Sequence, residues 1–327
     1  MNEQFFIRQV YQLGWEMFME PVRDVNVDAN AKVSDLIQWY SEIHGFMAGH
    51  LVESINLLKK AIRESEIRIL TFTANLVSTG LRGVFAQLIR NRLFNVIFTT
   101  AGTLDHDIAR AMGGKYLKGY FEADDKVLAE RGYHRLGNIF IPVEDYGPKV
   151  EGFVRKLVSE ARKTKDRWGV YELLDLAGSL IEDNNSILRA AHESGARVFV
   201  PGWPDGAFGT AIFMETQAGR GIQLDYNIDM KKLADIFFST KGKAMALIIG
   251  GGISKHHAIW WSQFRNGLDY TVYITTAVEY DGSLSGARPR EAISWGKIKP
   301  EASKIVVYGD ATIILPIIAA GILDMQS

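Results

Sequence analysis

From about residue 50 to its end the chain switches repeatedly between two hydrophobic periods, and this alternation limits its fold more than any other feature. Leu51, Ile55, Leu58 and Ile62 recur at helical spacing, and residues 67–72 then read as a strand. Helical text over residues 81–89 leads to a second strand at 96–100. Further strands are expected at 138–143, 197–200, 244–249, 270–275 and 305–308, nearly all separated by helical text. Short connections between alternating strands and helices give a mostly parallel sheet flanked by helices. The expected fold class is α/β, with no internal repeat, low-complexity tract or Pro/Gly-rich linker dividing the chain. We expect one large domain over residues 46–327 and a helical extension over residues 1–45. In that extension Phe5, Phe6, Tyr11, Trp15, Phe18, Trp39 and Tyr40 would pack on the body or on a partner subunit. The charged run 155–167 reads as the solvated face and end of a helix.

The text after each strand is small and polar. It includes Thr73-Ala74-Asn75 and Ser78 after the first strand and Thr100-Ala101-Gly102 after the second. Later strands are followed by Gly202 to Gly206 with Asp205, by Gly250-Gly251-Gly252, by Thr276-Ala277, and by Gly309-Asp310-Ala311. In a parallel sheet these ends share one edge, where open α/β folds bind ligands. Small residues there let backbone amides and helix N-termini approach phosphates. Turn geometry and N-capping favour the same residue types. No Gly-x-Gly-x-x-Gly follows any strand, and neither a P-loop nor His-Glu-x-x-His occurs. Motif reading therefore stops at a nucleotide-binding α/β enzyme of unspecified chemistry.

Composition excludes several classes. A net charge of −1 supplies no field to gather nucleic acid or an anionic membrane. The absence of cysteine removes disulfides, thiolate nucleophiles and cysteine-ligated zinc. The longest apolar run, residues 311–323, is shorter than the ~20 residues of a membrane span. With no basic-then-apolar leader at the start, a cytoplasmic protein is expected.

Residues able to do chemistry gather after residue 250. Lys297 follows Trp295-Gly296, and an indole that strips water from an amine favours the neutral form that makes imines. Lys255, beside His256-His257, competes for that role. Adjacent histidines cannot share a helix face, so one of them at most lines a site, and proton transfer suits it better than metal binding. Glu279, Asp281 and Glu291 surround a polar loop and suit a cationic ligand, ribose hydroxyls, or simple turn capping.

The run Gly250-Gly251-Gly252…Lys255-His256-His257, then Arg265-Asn266-Gly267…Asp269-Tyr270, resembles deoxyhypusine synthase. So does Glu279…Asp281-Gly282-Ser283…Ser285-Gly286-Ala287-Arg288-Pro289…Glu291…Ser294-Trp295-Gly296-Lys297. The likeness extends to Val307-Tyr308-Gly309-Asp310-Ala311 and back to Ala74–Ser78, Thr99–Gly102, His134–Asn138 and Asp205-Gly206, covering roughly residues 45–320. It implies a Rossmann-like, NAD-dependent aminobutyl transferase acting on spermidine and on the precursor of translation initiation factor 5A. It further implies a homotetramer with sites at subunit interfaces and no metal. On the same resemblance Lys297 carries the imine and His256 moves protons, which would leave Lys255 a bystander. Glu291, Trp295, Asp105, Ser283 and Ser285 hold the amine. The cofactor falls to Asn75, Ser78, Thr100, Ala101, Gly102, Asp205, Gly251, Thr276, Ala277, Asp281, Gly282, Asp310 and Ala311. Thr210 and Leu284 replace acids of eukaryotic relatives and His106 replaces a glutamate, so Asp105, Asp107 and Glu291 would take over or the preferred amine would differ.

Overall fold

The structure, a computed structural model, describes residues 20–324. In chain order its strands are β1 Ser65–Thr71, β2 Val96–Phe98, β3 Leu117–Lys118, β4 Tyr133–Leu136, β5 Ile139–Pro142 and β6 Arg167–Trp168. They continue as β7 Arg197–Phe199, β8 Gln223–Leu224, β9 Lys243–Ile249, β10 Leu268–Thr275 and β11 Ile298–Tyr308. Six of them form one sheet in the order β11-β10-β9-β1-β2-β7. Every neighbouring pair in it is parallel, as the crossover helices require.

The central strands of the sheet are buried on both faces, which explains their long apolar runs. Leu70, Ile97 and Leu247 face one core, and Ile69, Phe98 and Ile248 face the other. Each such side chain, fully buried, contributes about 1.5–3 kcal/mol. The first core is closed by helices Met47–Glu64, Leu81–Arg90, Ala101–Ala111 and Ala311–Leu323, among others. The stripe Leu51, Ile55, Leu58 and Ile62 is buried as its spacing predicts. The second core is closed by Tyr226–Ser239, Gly252–Ser262 and the turn Pro289–Ile293.

One expected strand of the parallel sheet belongs elsewhere. The text at 138–143 forms β5, which pairs antiparallel with β4 and β3 in a separate three-stranded sheet. Leu136 faces Ile139 across the two-residue turn Gly137-Asn138, with Gly137 at φ +60°, so the chain doubles back instead of crossing over. The charged run does lie on helix Gly147–Arg162, and its last residue, Arg167, opens β6 against β8. Of the amino-terminal extension, helix Val33–Ile43 is seen, with Trp39 and Tyr40 half-buried. Phe5, Phe6, Tyr11, Trp15 and Phe18 lie outside the described residues.

Candidate active site

Four of the six strand ends converge on one cavity of about 480 Å³. Thr73, Asn75 and Leu76 come from the end of β1, Ile249 and Gly250 from β9, Ile274 to Ala277 from β10, and Gly309 to Ala311 from β11. Asp281, Ser283 and Ser285 close it from the loop after β10. The thirteen-residue helix Ala311–Leu323 points its N-terminus here, capped by Asp310, whose carboxylate accepts from the Thr312 amide at 2.7 Å. Hydrogen bonds from Ser283 hold the Asp281 carboxyl below its usual pKa, so it stays an acceptor at neutral pH. Gly251 lies against the loop, where a Cβ would stand 2.5 Å from Ser285 Cα. A cavity of this size is within the ~300–1,000 Å³ range of small-molecule and cofactor sites, and amides and acids at strand ends suit phosphates and ribose hydroxyls. Asn75, Thr276, Ala277, Asp281, Asp310 and Ala311 all line this cavity, and Gly282, at φ +70°, turns the loop between Asp281 and Ser283. Ser283 and Ser285, expected at the amine, line this cavity instead.

The ends of β2 and β7 do not line it. They gather around Asp105, 1% exposed, whose carboxylate accepts from the amides of Ala207 (2.9 Å) and Phe208 (2.8 Å) and from the Tyr146 hydroxyl (2.9 Å). Burial pushes its pKa up while those bonds oppose the rise. Asp105 therefore anchors the start of helix Ala207–Gln217 and does not take the place of a missing amine ligand. Asp107 is also consumed, by Arg82 and the first turn of helix Ile187–Ser194. Thr100 accepts from the Ala74 amide at 3.1 Å, and a Cβ at Gly102 would come within 2.9 Å of Ala74 Cβ. Together with buried Ala101 they seam the ends of β1 and β2. The Ser78 hydroxyl donates to the Asn75 carbonyl, and Asp205 sits exposed in the turn beyond β7. His106 is buried with Nδ1 2.7 Å from the Tyr116 hydroxyl, and desolvation drops its pKa to about 4, so it is neutral. Thr210 is exposed.

Lys297 lies on the sheet face, away from that edge. Its successor, Ile298, opens β11 opposite Leu268, the first residue of β10, and the Leu268 amide donates to the Lys297 carbonyl at 3.1 Å. From Thr276 the loop thus runs back along the sheet for roughly 23 Å, the length of seven strand steps. Its path ends in a small pocket, about 50 Å³, lined by Lys297, Glu291, Trp295, Leu284, Lys255 and Tyr273 among others. Lys297 Nζ is 5.2 Å from the Trp295 ring centroid and 5.9 Å from that of Trp260, a cradle suited to a cationic or imine group. His256 stacks on Trp260 and faces Lys297; desolvation first, and the lysine charge second, lower its pKa. His257 turns inward as the adjacency argument requires, accepting from Tyr226 and Trp261, with its pKa dropped to about 4 by burial.

Two pocket residues stand in roles that sequence reasoning does not give them. The resemblance leaves Lys255 a bystander, yet it is 1% exposed and donates to the carbonyls of Leu284 (2.6 Å) and Ala287 (2.8 Å). Tyr273, inside a strand that reads only as core, has a buried hydroxyl with no partner. The lysine's place beside a glycine turn and two histidines marks it only as a possible nucleophile, and the sequence gives the tyrosine no role in a site. Among the described residues no group of three or more His, Asp or Glu could hold a metal ion.

The deoxyhypusine synthase family model matches residues 35–322. A protein from Aeropyrum pernix named a probable deoxyhypusine synthase is 67% identical over 302 residues, covering 92% of this chain and 97% of the relative. One of the same name from Ignicoccus hospitalis is 55% identical, over 94% of this chain and 97% of its own. The fold matches an Entamoeba histolytica crystal structure provisionally named deoxyhypusine synthase, with a TM-score of 0.67 at 19% identity, over 94% of this chain and 98% of that one.

Proposed function

Because the chain belongs to the deoxyhypusine synthase family, we propose that it is the NAD-dependent transferase that moves the aminobutyl part of spermidine, through an imine on Lys297, to one lysine of the translation initiation factor 5A precursor. The observation that carries this reading is the arrangement of two cavities. A dinucleotide-sized cavity at the strand ends and a pocket holding Lys297 share the loop segment Ser283–Ala287 as a wall.

The chemistry NAD would supply when bound is hydride acceptance from the carbon beside the secondary amine and hydride return to the imine on the acceptor lysine. Asp281, Asp310, Asn75 and the helix N-terminus at Ala311 would hold the cofactor. Glu291 attracts the polyamine, and the indole faces of Trp295 and Trp260 accept its cationic carbon chain. His256, beside Lys297 and held toward its neutral form, takes the proton that leaves the donor amine as it is oxidised. The Lys297 amine adds to the resulting carbon–nitrogen double bond, the bond from that carbon to the donor nitrogen breaks, and 1,3-diaminopropane departs with the returned proton. The acceptor lysine then displaces Lys297 in the same way, which restores the enzyme amine. Borohydride added with NAD and spermidine should fix a mass increment on Lys297. A chain that binds NAD and yields no adduct would sink this reading.

Leu284 gives the pocket an apolar wall where eukaryotic relatives carry an acid, so the amine could differ from spermidine in its far end. Offering a panel of amines with either the factor 5A precursor or putrescine as sole acceptor separates protein modification from transfer to a free diamine. A cytoplasmic homotetramer completes the proposal. Exposed Phe238, Trp260 and Phe264 form an apolar face beside the Lys297 pocket that a second copy could cover. Sedimentation at micromolar concentration tests it, and a monomer would refute it. Among the described residues no helix is long and apolar enough to cross a membrane.

A further inference from the structure

The segment Ser283–Ala287 presents alternate residues to alternate cavities. Ser283 and Ser285 line the strand-end cavity, while Leu284 and Ala287 line the Lys297 pocket. A wall this thin, without strand partners of its own, needs an anchor, and one side chain supplies it from the far side of the pocket. Lys255 Nζ donates to the carbonyls of Leu284 and Ala287 at 2.6 and 2.8 Å and stands 4.3 Å from the Tyr273 ring centroid. On the cavity side the wall is held more lightly: Thr275 donates to the Ser285 carbonyl at 3.1 Å, and Gly251 packs against Ser285.

We propose that Lys255 is a positioning residue, a latch that fixes the partition between the two cavities and so couples the shape of the cofactor site to that of the Lys297 pocket. Its functional consequence rests on the transferase reading above; its structural part does not. Charge-assisted bonds to two carbonyls, made out of water, are worth far more than surface contacts. Burial lowers the Lys255 pKa to about 8 with Glu291 opposing, and the neutral amine keeps two N–H donors for the same carbonyls. The latch therefore needs an amine at this point, not a charge alone and not merely a volume. Lys255 makes no use of its nucleophilicity here, because its nitrogen is already committed to the loop.

The chain has no cysteine, so Lys255→Cys creates a single thiol that can be alkylated in denaturant and refolded, with wild type carried through the same steps. Bromoethylamine restores an amine at nearly the lysine length, and bromopropane gives the apolar equivalent of similar volume. Hydrogen exchange at the amides of residues 281–288 is then read on the ligand-free chain. The aminoethyl form should regain wild-type protection, and the propyl form should exchange on the order of tenfold faster. The propyl form should also bind NAD about tenfold more weakly, and the aminoethyl form should recover that affinity. Equal protection in the two alkylated forms, or an aminoethyl form that does not recover it, overturns the latch. Since loop exchange needs no ligand, this result is separate from an absent adduct on wild-type Lys297, which would instead remove the transferase reading.

Discussion

The two cavities are built by different means. The strand-end cavity is made of turns, each carried by its own strand, so its parts are local in sequence and their shared edge follows from parallel pairing alone. The Lys297 pocket is made by one loop returning along a sheet face, by a helix laid over it, and by a lysine that reaches the loop from 29 residues upstream. The first kind of site draws each of its parts from a separate turn. The second depends on the whole return path being held.

The sharpest way to break this contrast is Lys297→Ala. It should remove the borohydride-trapped adduct and transfer, by at least about 10³-fold, and leave NAD affinity within about twofold. Calorimetric titration with NAD checks the second half, and a lost NAD site would mean that the cavities are not separable in this way. Next in size is Gly251→Ala, where the new Cβ drives into Ser285 and overpacking costs about 1–3 kcal/mol. NAD affinity should fall by roughly tenfold or more, and the rate of adduct formation should fall with it, because the displaced wall belongs to both sides. Glu291→Gln should be milder and confined to the pocket, raising the KM for the amine about tenfold with NAD affinity unchanged.

A last effect falls on the stability of the whole fold and not on either cavity, along its acid limb. His106 and His257 are buried neutral, with pKa values near 4 against an ordinary value of about 6.5. Above that value neither contributes. As pH falls from 6.5 toward 4 the unfolded chain binds protons that the folded chain refuses, and stability drops by roughly 1.4 kcal/mol per unit for each group. Urea unfolding at pH 7 and pH 5 should show this loss, with His106→Gln and His257→Gln each flattening the slope. A pH-independent midpoint would place the two rings in contact with water.

Much of the first cavity is legible in the amino-acid sequence. Asn75, Thr276, Asp310 and Ala311 stand at strand ends, where periodicity and turn residues put them. Thr100, Gly102 and Asp205 follow strands by the same rule, yet they belong to β2 and β7, and strand order sets those two apart at one side of the sheet. Spacing reveals a strand end; it does not tell which neighbours that end will have. Asp105 illustrates the same limit, since a carboxylate beside the expected site is consumed by two helix amides and a tyrosine. In the pocket, the resemblance points to Lys297, Trp295 and Glu291, and they do meet. The same resemblance makes Lys255 a bystander, whereas the fold buries it against the loop; Tyr273 is given no role in a site by its place inside an apolar strand.

Lys297 is singled out over Lys255 by the resemblance and not by spacing. What the sequence settled by itself was a mostly parallel α/β sheet flanked by helices, with small polar residues at its strand ends. These are properties of local period and composition, which need only a few neighbouring residues to be expressed. The tertiary structure alone decided that 138–143 doubles back as a hairpin, that four strand ends of six share a cavity, and that Lys255 holds the wall between two sites. Each depends on which surfaces meet across tens or hundreds of residues, and that is set by strand order and by the need of every buried polar group for a partner.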